Sequence, residues 1–309
     1  MAENFVDLDV IIIGGGPAGI SSLFWCTELG LRAIIFEKEI EFGGQLLWTF
    51  NSIKNYLGIE AANGRTLRDK FLQHIENTDV RRVTGAEIIS SDLTQKTVIL
   101  ADGRRFSANS IIIATGVRRR ELEISGEQEF RGRGILDSGA KAKKDVQGKK
   151  IAIVGGGDAA LENALILSET ANKVIVVHRS AKLSARNDFV SRAVEREKIE
   201  FLLNTRVTAI IGNKEVEAIE LEDRGSGKPS RIEVDHVLIR IGVVPNTEMF
   251  RGQVTMDGAH YICVDSQSRT GLDGIFAAGD VANPISPTIG SAVGQGATAI
   301  KTIFSSLTE

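Results

Sequence analysis

Val10-Ile-Ile-Ile-Gly-Gly-Gly-Pro-Ala-Gly19 decides how the rest of the chain is read. Four apolar residues form a buried strand, and the run Gly14-Gly15-Gly16-Pro17-Ala18-Gly19 turns it into a helix expected to reach about Leu29. A second strand, Arg32 to Phe36, ends at Glu37 with Lys38 beside it. Strand, glycine turn, helix and strand with a terminal acid make the βαβ unit that binds a dinucleotide. Gly14 permits the tight turn, Gly16 lets the backbone approach a pyrophosphate, and Gly19 lets helix pack closely on strand. Pro17 and Ala18 start the helix, whose unpaired N–H groups face the phosphates. Glu37 stands where a carboxylate accepts from ribose hydroxyls.

The plan recurs at Ile151-Ala-Ile-Val-Gly-Gly-Gly-Asp-Ala-Ala160. Gly155, Gly157, Asp158 and Ala159 form the second loop, with Ala160 at the position of Gly19. Where the first unit has Glu37, the second has His178 followed by Arg179. A cation beside the ribose attracts a 2′-phosphate that a carboxylate would repel, so this site leans away from plain NAD. The alternative is a second fold unit that holds nothing.

The intervening pattern sets the expected boundaries. Ile111-Ile-Ile-Ala-Thr-Gly116 reads as a strand ending in a turn near the first nucleotide, and Val237 to Asn246 as a second crossover. Thr270 to Asp280 returns the chain to the first domain, and Ser291 to Leu307 reads as a final helix. The fold class is therefore α/β with two Rossmann-like nucleotide-binding domains, the second inserted in the first. Residues 1–117 and 246–309 form one, and residues 118–245 the other.

A chain of 309 residues suits two such domains. Its 42% hydrophobic and 25% charged content is ordinary globular composition, and its apolar runs are too short to span a bilayer. Met1-Ala2-Glu3-Asn4-Phe5 lacks a basic stretch leading into an apolar one, which gives a cytoplasmic location as the expectation. A net charge of −3 gives no general signal for nucleic acid or membrane. Cys26 and Cys263, in segments that read as helix and strand, are expected to be structural, and no Cys-x-x-Cys occurs. No metal-ligating pattern stands out.

These residues resemble the low-molecular-weight thioredoxin reductases and the thioredoxin-reductase-like ferredoxin–NADP reductases. The resemblance spans nearly the whole chain. It rests on Gly14 to Gly19, Gly43-Gly44-Gln45-Leu46 with Asn55, Ala114-Thr115-Gly116, Gly155 to Asp158, Gly242-Val-Val-Pro-Asn246 and Phe276-Ala-Ala-Gly279-Asp280. It implies FAD on the first domain, with Glu37 on its ribose, Gln45 and Asn55 near the isoalloxazine, and Asp280 at the ribityl or pyrophosphate region. Gly44, Ala114, Thr115, Gly116 and Gly279 join that site. It also implies a homodimer formed through the FAD domains, and NADP or NAD on the second domain.

Three departures bear on function. The family's Cys-x-x-Cys positions are Ser138 and Lys141, and neither a hydroxyl nor an ammonium can carry out thiol–disulfide exchange. Ser-x-x-Lys is also a nucleophile-and-base pattern, but without an oxyanion context it reads as a surface helix. The family's His-Arg-Arg-x-x-x-Arg clamp is His178-Arg179-Ser180-Ala181-Lys182-Leu183-Ser184 here. Losing two charge-assisted bonds of roughly 1.5–3 kcal/mol each weakens 2′-phosphate binding by about 10² to 10⁴-fold. Lys182 or Arg186 is the candidate for recovering part of it. Finally, an Arg-Gln pair near the flavin is Pro287-Thr288, and Trp48 is placed to stack on the flavin or to pack elsewhere.

Between Arg118 and Lys150 stand ten basic and six acidic residues. Such a strip steers an acidic electron carrier, ferredoxin or flavodoxin, or is simply a solvated face. The sequence thus points to an FAD-dependent oxidoreductase passing electrons between a nicotinamide nucleotide and such a carrier without an enzyme disulfide. Two alternatives stay open: a pyridine-nucleotide-independent flavoprotein whose second site holds another ligand, a second flavin among them, and a non-catalytic FAD-binding module.

Overall fold

The computed structural model describes residues 8–78 and 80–308. Met1 to Phe5, on which the expectation about a leader rests, lie outside them. The described chain divides into two compact units, residues 1–118 with 244–309, and residues 119–243.

In the first unit β1 (Leu8–Ile13), α1 (Pro17–Glu28) and β2 (Ala33–Phe36) form the expected βαβ. They are followed by α2 (Gly64–Gln73), β3 (Arg81–Val83), β4 (Ile88–Asp92), β5 (Thr97–Leu100), β6 (Arg105–Ile113) and β7 (Val117–Arg119). Strands β3, β2, β1 and β6 run parallel, and the first half of β6 continues antiparallel into β5 and β4. Side-chain alternation divides the core. Val10, Ile12, Ile35 and Ile112 face one layer, while Ile11, Ile13, Ile34, Phe36, Ile111 and Ile113 face the other. Burial on both faces explains the unbroken apolar runs.

The second unit contains α3 (Gly139–Ala142), β8 (Lys150–Val154), α4 (Asp158–Ser168), β9 (Lys173–Val177), α5 (Asn187–Val194) and β10 (Ile199–Leu202). Then come β11 (Thr205–Gly212), β12 (Val216–Asp223), β13 (Pro229–Glu233) and β14 (His236–Ile239). Its parallel sheet runs β10-β9-β8-β14, and β11-β12-β13 form an antiparallel sheet. Ile151, Ile153, Val174 and Val176 pack with Ala160, Leu161 and Ala164 of α4. Ala152, Val154, Ile175 and Val177 pack instead with Val207, Ile219 and Leu221 of the antiparallel sheet.

The chain re-enters the first unit through β15 (Val243–Pro245), which pairs with β7, and ends in β16 (Ile275–Ala277) on β6 and α6 (Ile289–Thr308). No described helix is long and apolar enough to cross a membrane, and no described cluster of His, Cys, Asp or Glu could hold a metal. Cys26 is buried in α1 as expected, but Cys263 is exposed and outside any strand. The apolar residues around it, Ile262 and Val264, had lent that segment a strand-like pattern.

Candidate functional site

The first glycine loop is held by backbone contacts that admit no side chain. A Cβ on Gly14, whose φ is +108°, would lie 2.4 Å from the Ala114 carbonyl oxygen. One on Gly19 would lie 1.9 Å from the Gly14 oxygen. Gly16 is different, because its nearest atom would be the Gly44 Cα at 3.9 Å. Gly44 in turn faces back, its own Cβ position lying 3.0 Å from Gly16 Cα. The Gly43 amide donates to the Gly15 carbonyl at 2.8 Å and fixes the two loops together. The Gly16 and Gly44 backbones are thus closely apposed and bare of side chains where α1 begins at Pro17 and Ala18.

Glu37 ends β2 with only 7% of its surface exposed. Its Oε2 accepts from the Gly15 amide at 2.7 Å and its Oε1 from the Glu39 amide at 2.9 Å. The carboxylate is therefore held beside the loop, with lone pairs left for ribose hydroxyls. Lys38 is exposed and pairs loosely with Glu39 at 3.9 Å. Gln45 is anchored by donating to the Val117 carbonyl at 2.8 Å, whereas Asn55 is exposed. Trp48 is 53% exposed.

Across the sheet, the Thr115–Gly116 turn is tied to Asn246. Thr115 Oγ1 donates to the Asn246 carbonyl at 2.8 Å, Asn246 Nδ2 to the Thr115 carbonyl at 2.8 Å, and the Asn246 amide to Gly116 at 3.0 Å. Gly279 donates its amide to Gln295 Oε1 at 2.8 Å, a partner that no sequence pattern singles out. Asp280 follows, half-buried, and its carboxylate meets no donor among the described residues. Burial pushes its pKa up. An orphaned carboxylate next to Gly279, whose Cβ position lies 2.9 Å from Ala18 Cβ at the start of α1, fits a hydroxyl-bearing diphosphate cofactor such as FAD. Thr288 caps α6 by reciprocal bonds with Ser291, so the Pro287-Thr288 departure doubles as a helix start.

The second loop repeats the architecture. A Cβ on Gly155 would lie 2.1 Å from the Arg240 carbonyl oxygen, as Gly14 meets Ala114. His178 packs its ring on Gly156, where a Cβ would come within 2.4 Å of Nδ1, and Nε2 meets the Lys182 carbonyl at 3.1 Å. Gly157 keeps an open approach, with Ser184 Oγ 3.6 Å from its Cβ position. Asp158 is engaged by Arg186, which holds its pKa below the usual carboxylate range. Arg179 and Lys182 are exposed, and neither side chain makes an ion pair among the described residues.

Where the resemblance expects a dithiol, Ser138 is buried and Gly139 starts a single helical turn. The Gly139 amide donates to Asn163 Oδ1 at 2.8 Å, and Asn163 Nδ2 donates to the Ala159 carbonyl at 2.6 Å. Asn163, which sequence reasoning missed, thereby ties this segment to the first turn of α4. Lys141 pairs with Asp137 at 3.1 Å. The basic strip is likewise partly neutralised: Arg118, Arg131, Arg133, Lys143 and Lys149 pair with Glu248, Glu121, Glu129, Glu169 and Asp235.

Two strand–glycine-loop–helix units, the second inserted in the first, define an α/β protein with two Rossmann-like domains. Residues 8–296 match the family model described as pyridine nucleotide-disulphide oxidoreductase. A thioredoxin reductase of Listeria innocua serovar 6a is 36% identical over 299 residues, covering 96% of this chain and 92% of that one. The solved Lactococcus lactis thioredoxin reductase (FR conformation) aligns with a TM-score of 0.85 at 32% identity, over 97% of this chain and 98% of that one. The T. acidophilum thioredoxin reductase gives 0.84 at 30% identity, over 98% and 99%. The chain belongs to the pyridine nucleotide-disulphide oxidoreductase family. It is a thioredoxin-reductase-like, flavin-dependent oxidoreductase with FAD as its cofactor.

Proposed function

We propose that this flavoprotein passes electrons from a nicotinamide nucleotide to an external carrier without an enzyme disulfide. What supports this reading is that the chain has no Cys-x-x-Cys, with other residues where the resemblance expects one. Ser138 and Lys141 stand there, Asn163 fastens the segment to α4, and the chain's two cysteines lie elsewhere. Cys26 is fully buried and burial drives its thiol well above the ordinary range, so it does not supply a thiolate. The bound FAD would supply the hydride and electron chemistry.

In this reading the unit of residues 1–118 and 244–309 holds FAD. Gly14, Gly16, Pro17, Ala18 and Gly19 cradle the diphosphate, Glu37 takes the ribose with Lys38 at the rim, and Asp280 accepts from the ribityl chain. Gly44, Gln45, Asn55, Ala114, Thr115, Gly116 and Gly279 complete the lining. The inserted unit holds the nicotinamide nucleotide, NAD or NADP, on Gly155, Gly157, Asp158 and Ala159, with His178 and Arg179 at the ribose. An acidic carrier such as ferredoxin or flavodoxin accepts the electrons, and the protein works as a cytoplasmic homodimer. Anaerobic stopped-flow mixing with NADH and with NADPH tests the donor. Bleaching of the flavin by either supports the scheme, and bleaching by neither removes nicotinamide from it.

One observation favours a second reading, a pyridine-nucleotide-independent flavoprotein whose inserted unit binds another ligand, a second flavin among them. Beside Ser184 an open surface depression is lined by Leu183, Val190, Val194 and Phe201 together with Lys182 and Asn187, and Val194 is exposed. Flavin stoichiometry separates the two, since two flavins per chain favour the second.

A further inference from the structure

Arg240 stands where the strand order of the second unit reverses. β8 has β9 on one side and β14 on the other. In open α/β sheets the crevice at the carboxyl ends of such strands is where ligands bind. Arg240 continues β14, its amide donating to the Val154 carbonyl at 2.7 Å and its own carbonyl abutting Gly155. It is therefore next to the second glycine loop.

Its guanidinium donates from Nη2 to the Asp137 carbonyl at 2.6 Å and from Nη1 to the Ile239 carbonyl at 2.7 Å. Arg119 Nη1 donates to the same Asp137 carbonyl. Two cations thus share one neutral oxygen, against their mutual repulsion. Neither forms an ion pair among the described residues, because the Asp137 carboxylate is taken by Lys141. Of the remaining charges that bear on Arg240, Glu162 is the second carboxylate. Arg119, Arg240 and Lys141 therefore outnumber Asp137 and Glu162. Burial first, and the Arg119 charge next, bring the Arg240 pKa down to about 10. An oxyanion between the two guanidiniums would relieve that repulsion and turn bonds to neutral carbonyls into charge-assisted ones.

We propose that Arg119 and Arg240 form an anion clamp for the diphosphate of the ligand on the second glycine loop, one phosphate lying at the start of α4 and the next between the guanidiniums. This rests on reading the inserted unit as nucleotide-binding. It names the ligand class more closely: a nucleoside diphosphate, or a dinucleotide joined through one, held by its diphosphate. Positive charge absent at Ser180 and Ser184, by the ribose, is present at the switch point instead.

ADP and AMP titrated calorimetrically into the FAD-loaded protein test this, since FAD then occupies the first loop. Arg119→Met and Arg240→Met are each expected to weaken ADP by about 10-fold to 100-fold and to change AMP by less than about two-fold. Arg131→Met, which removes a surface arginine paired with Glu121, should leave both unchanged. Unaltered ADP affinity in Arg119→Met and Arg240→Met proteins of normal flavin absorbance and melting temperature would overturn the clamp alone. Equal losses for ADP and AMP would overturn it too, placing the effect on the loop. Failure of the unsubstituted protein to bind either nucleotide would overturn both the clamp and the nucleotide reading of this unit.

Discussion

Asp158 holds Arg186 with both carboxylate oxygens, Oδ1 accepting the Arg186 amide at 2.7 Å and Oδ2 accepting Nε at 2.7 Å. The guanidinium also lies 4.8 Å from the centre of the Phe189 ring. Arg186 is thus committed to α4 and is not a spare anchor for a 2′-phosphate. Restoring the anchors at Ser180 and Ser184, both exposed, should therefore act strongly. The Ser180→Arg/Ser184→Arg protein is expected to bind 2′,5′-ADP about 10² to 10⁴-fold more tightly by calorimetry. Arg186→Met alone should leave 2′,5′-ADP affinity within about two-fold, because that side chain is already occupied.

The glycines of the first loop separate folding from cofactor binding. A Gly19→Ala methyl would sit 1.9 Å from the Gly14 carbonyl oxygen, and Gly14→Ala adds a clash with Ala114 to a left-handed φ. Both should give little folded protein, read as loss of the cooperative thermal transition. Gly16→Ala meets nothing closer than 3.9 Å. It should fold with a normal melting temperature for the flavin-free protein, yet purify colourless because its methyl would occupy the bare backbone approach at the start of α1 where the diphosphate is proposed to lie. Yellow Gly16→Ala protein at full flavin content would remove the diphosphate from this position.

Much of this fold is legible in the sequence. The apolar runs at Val10 and Ile151 are strands buried on both faces, and their glycine turns can be read because the geometry tolerates almost no other residue. What could not be read depends on contacts distant in sequence. Asn163 under Gly139, Gln295 on Gly279 and the convergence of Arg119 with Arg240 on Asp137 join segments that no local periodicity relates. The basic strip shows the converse, since sequence counts charges but not their partners, and Glu169 and Asp235 lie far along the chain from Lys143 and Lys149.

Glu37 is both a ligand candidate and a structural brace. Its buried carboxylate accepts two backbone amides, from Gly15 and Glu39. Glu37→Ala leaves both donors unmet, and at roughly 1.5–3 kcal/mol per bond to a charged group the loss should be about 3–6 kcal/mol. Glu37→Gln keeps one acceptor oxygen and should lose about half as much. Urea unfolding of the flavin-free proteins measures both. A Glu37→Ala midpoint equal to that of the unsubstituted chain would show that water replaces the carboxylate freely.

Asp280 has no such partners: its half-buried carboxylate meets no donor among the described residues. Burial raises its pKa and no described donor offsets it, so the flavin-free fold favours the protonated carboxyl. A group whose folded pKa exceeds its unfolded one contributes its stability below the unfolded value, near 3.9 for aspartate, and loses it as pH rises through the folded value. At neutral pH the flavin-free protein is therefore destabilised by this charge. Asp280→Asn removes the charge and should raise the melting temperature of the flavin-free protein at pH 7, with the advantage shrinking as pH falls toward 4. The same substitution should weaken FAD retention, because an ionised acceptor bonds a hydroxyl more strongly than an amide does. Comparing variant with unsubstituted protein at each pH cancels the acid loss of other ion pairs. Lower flavin-free stability of Asp280→Asn at pH 7 would mean that the carboxylate has a partner in solution.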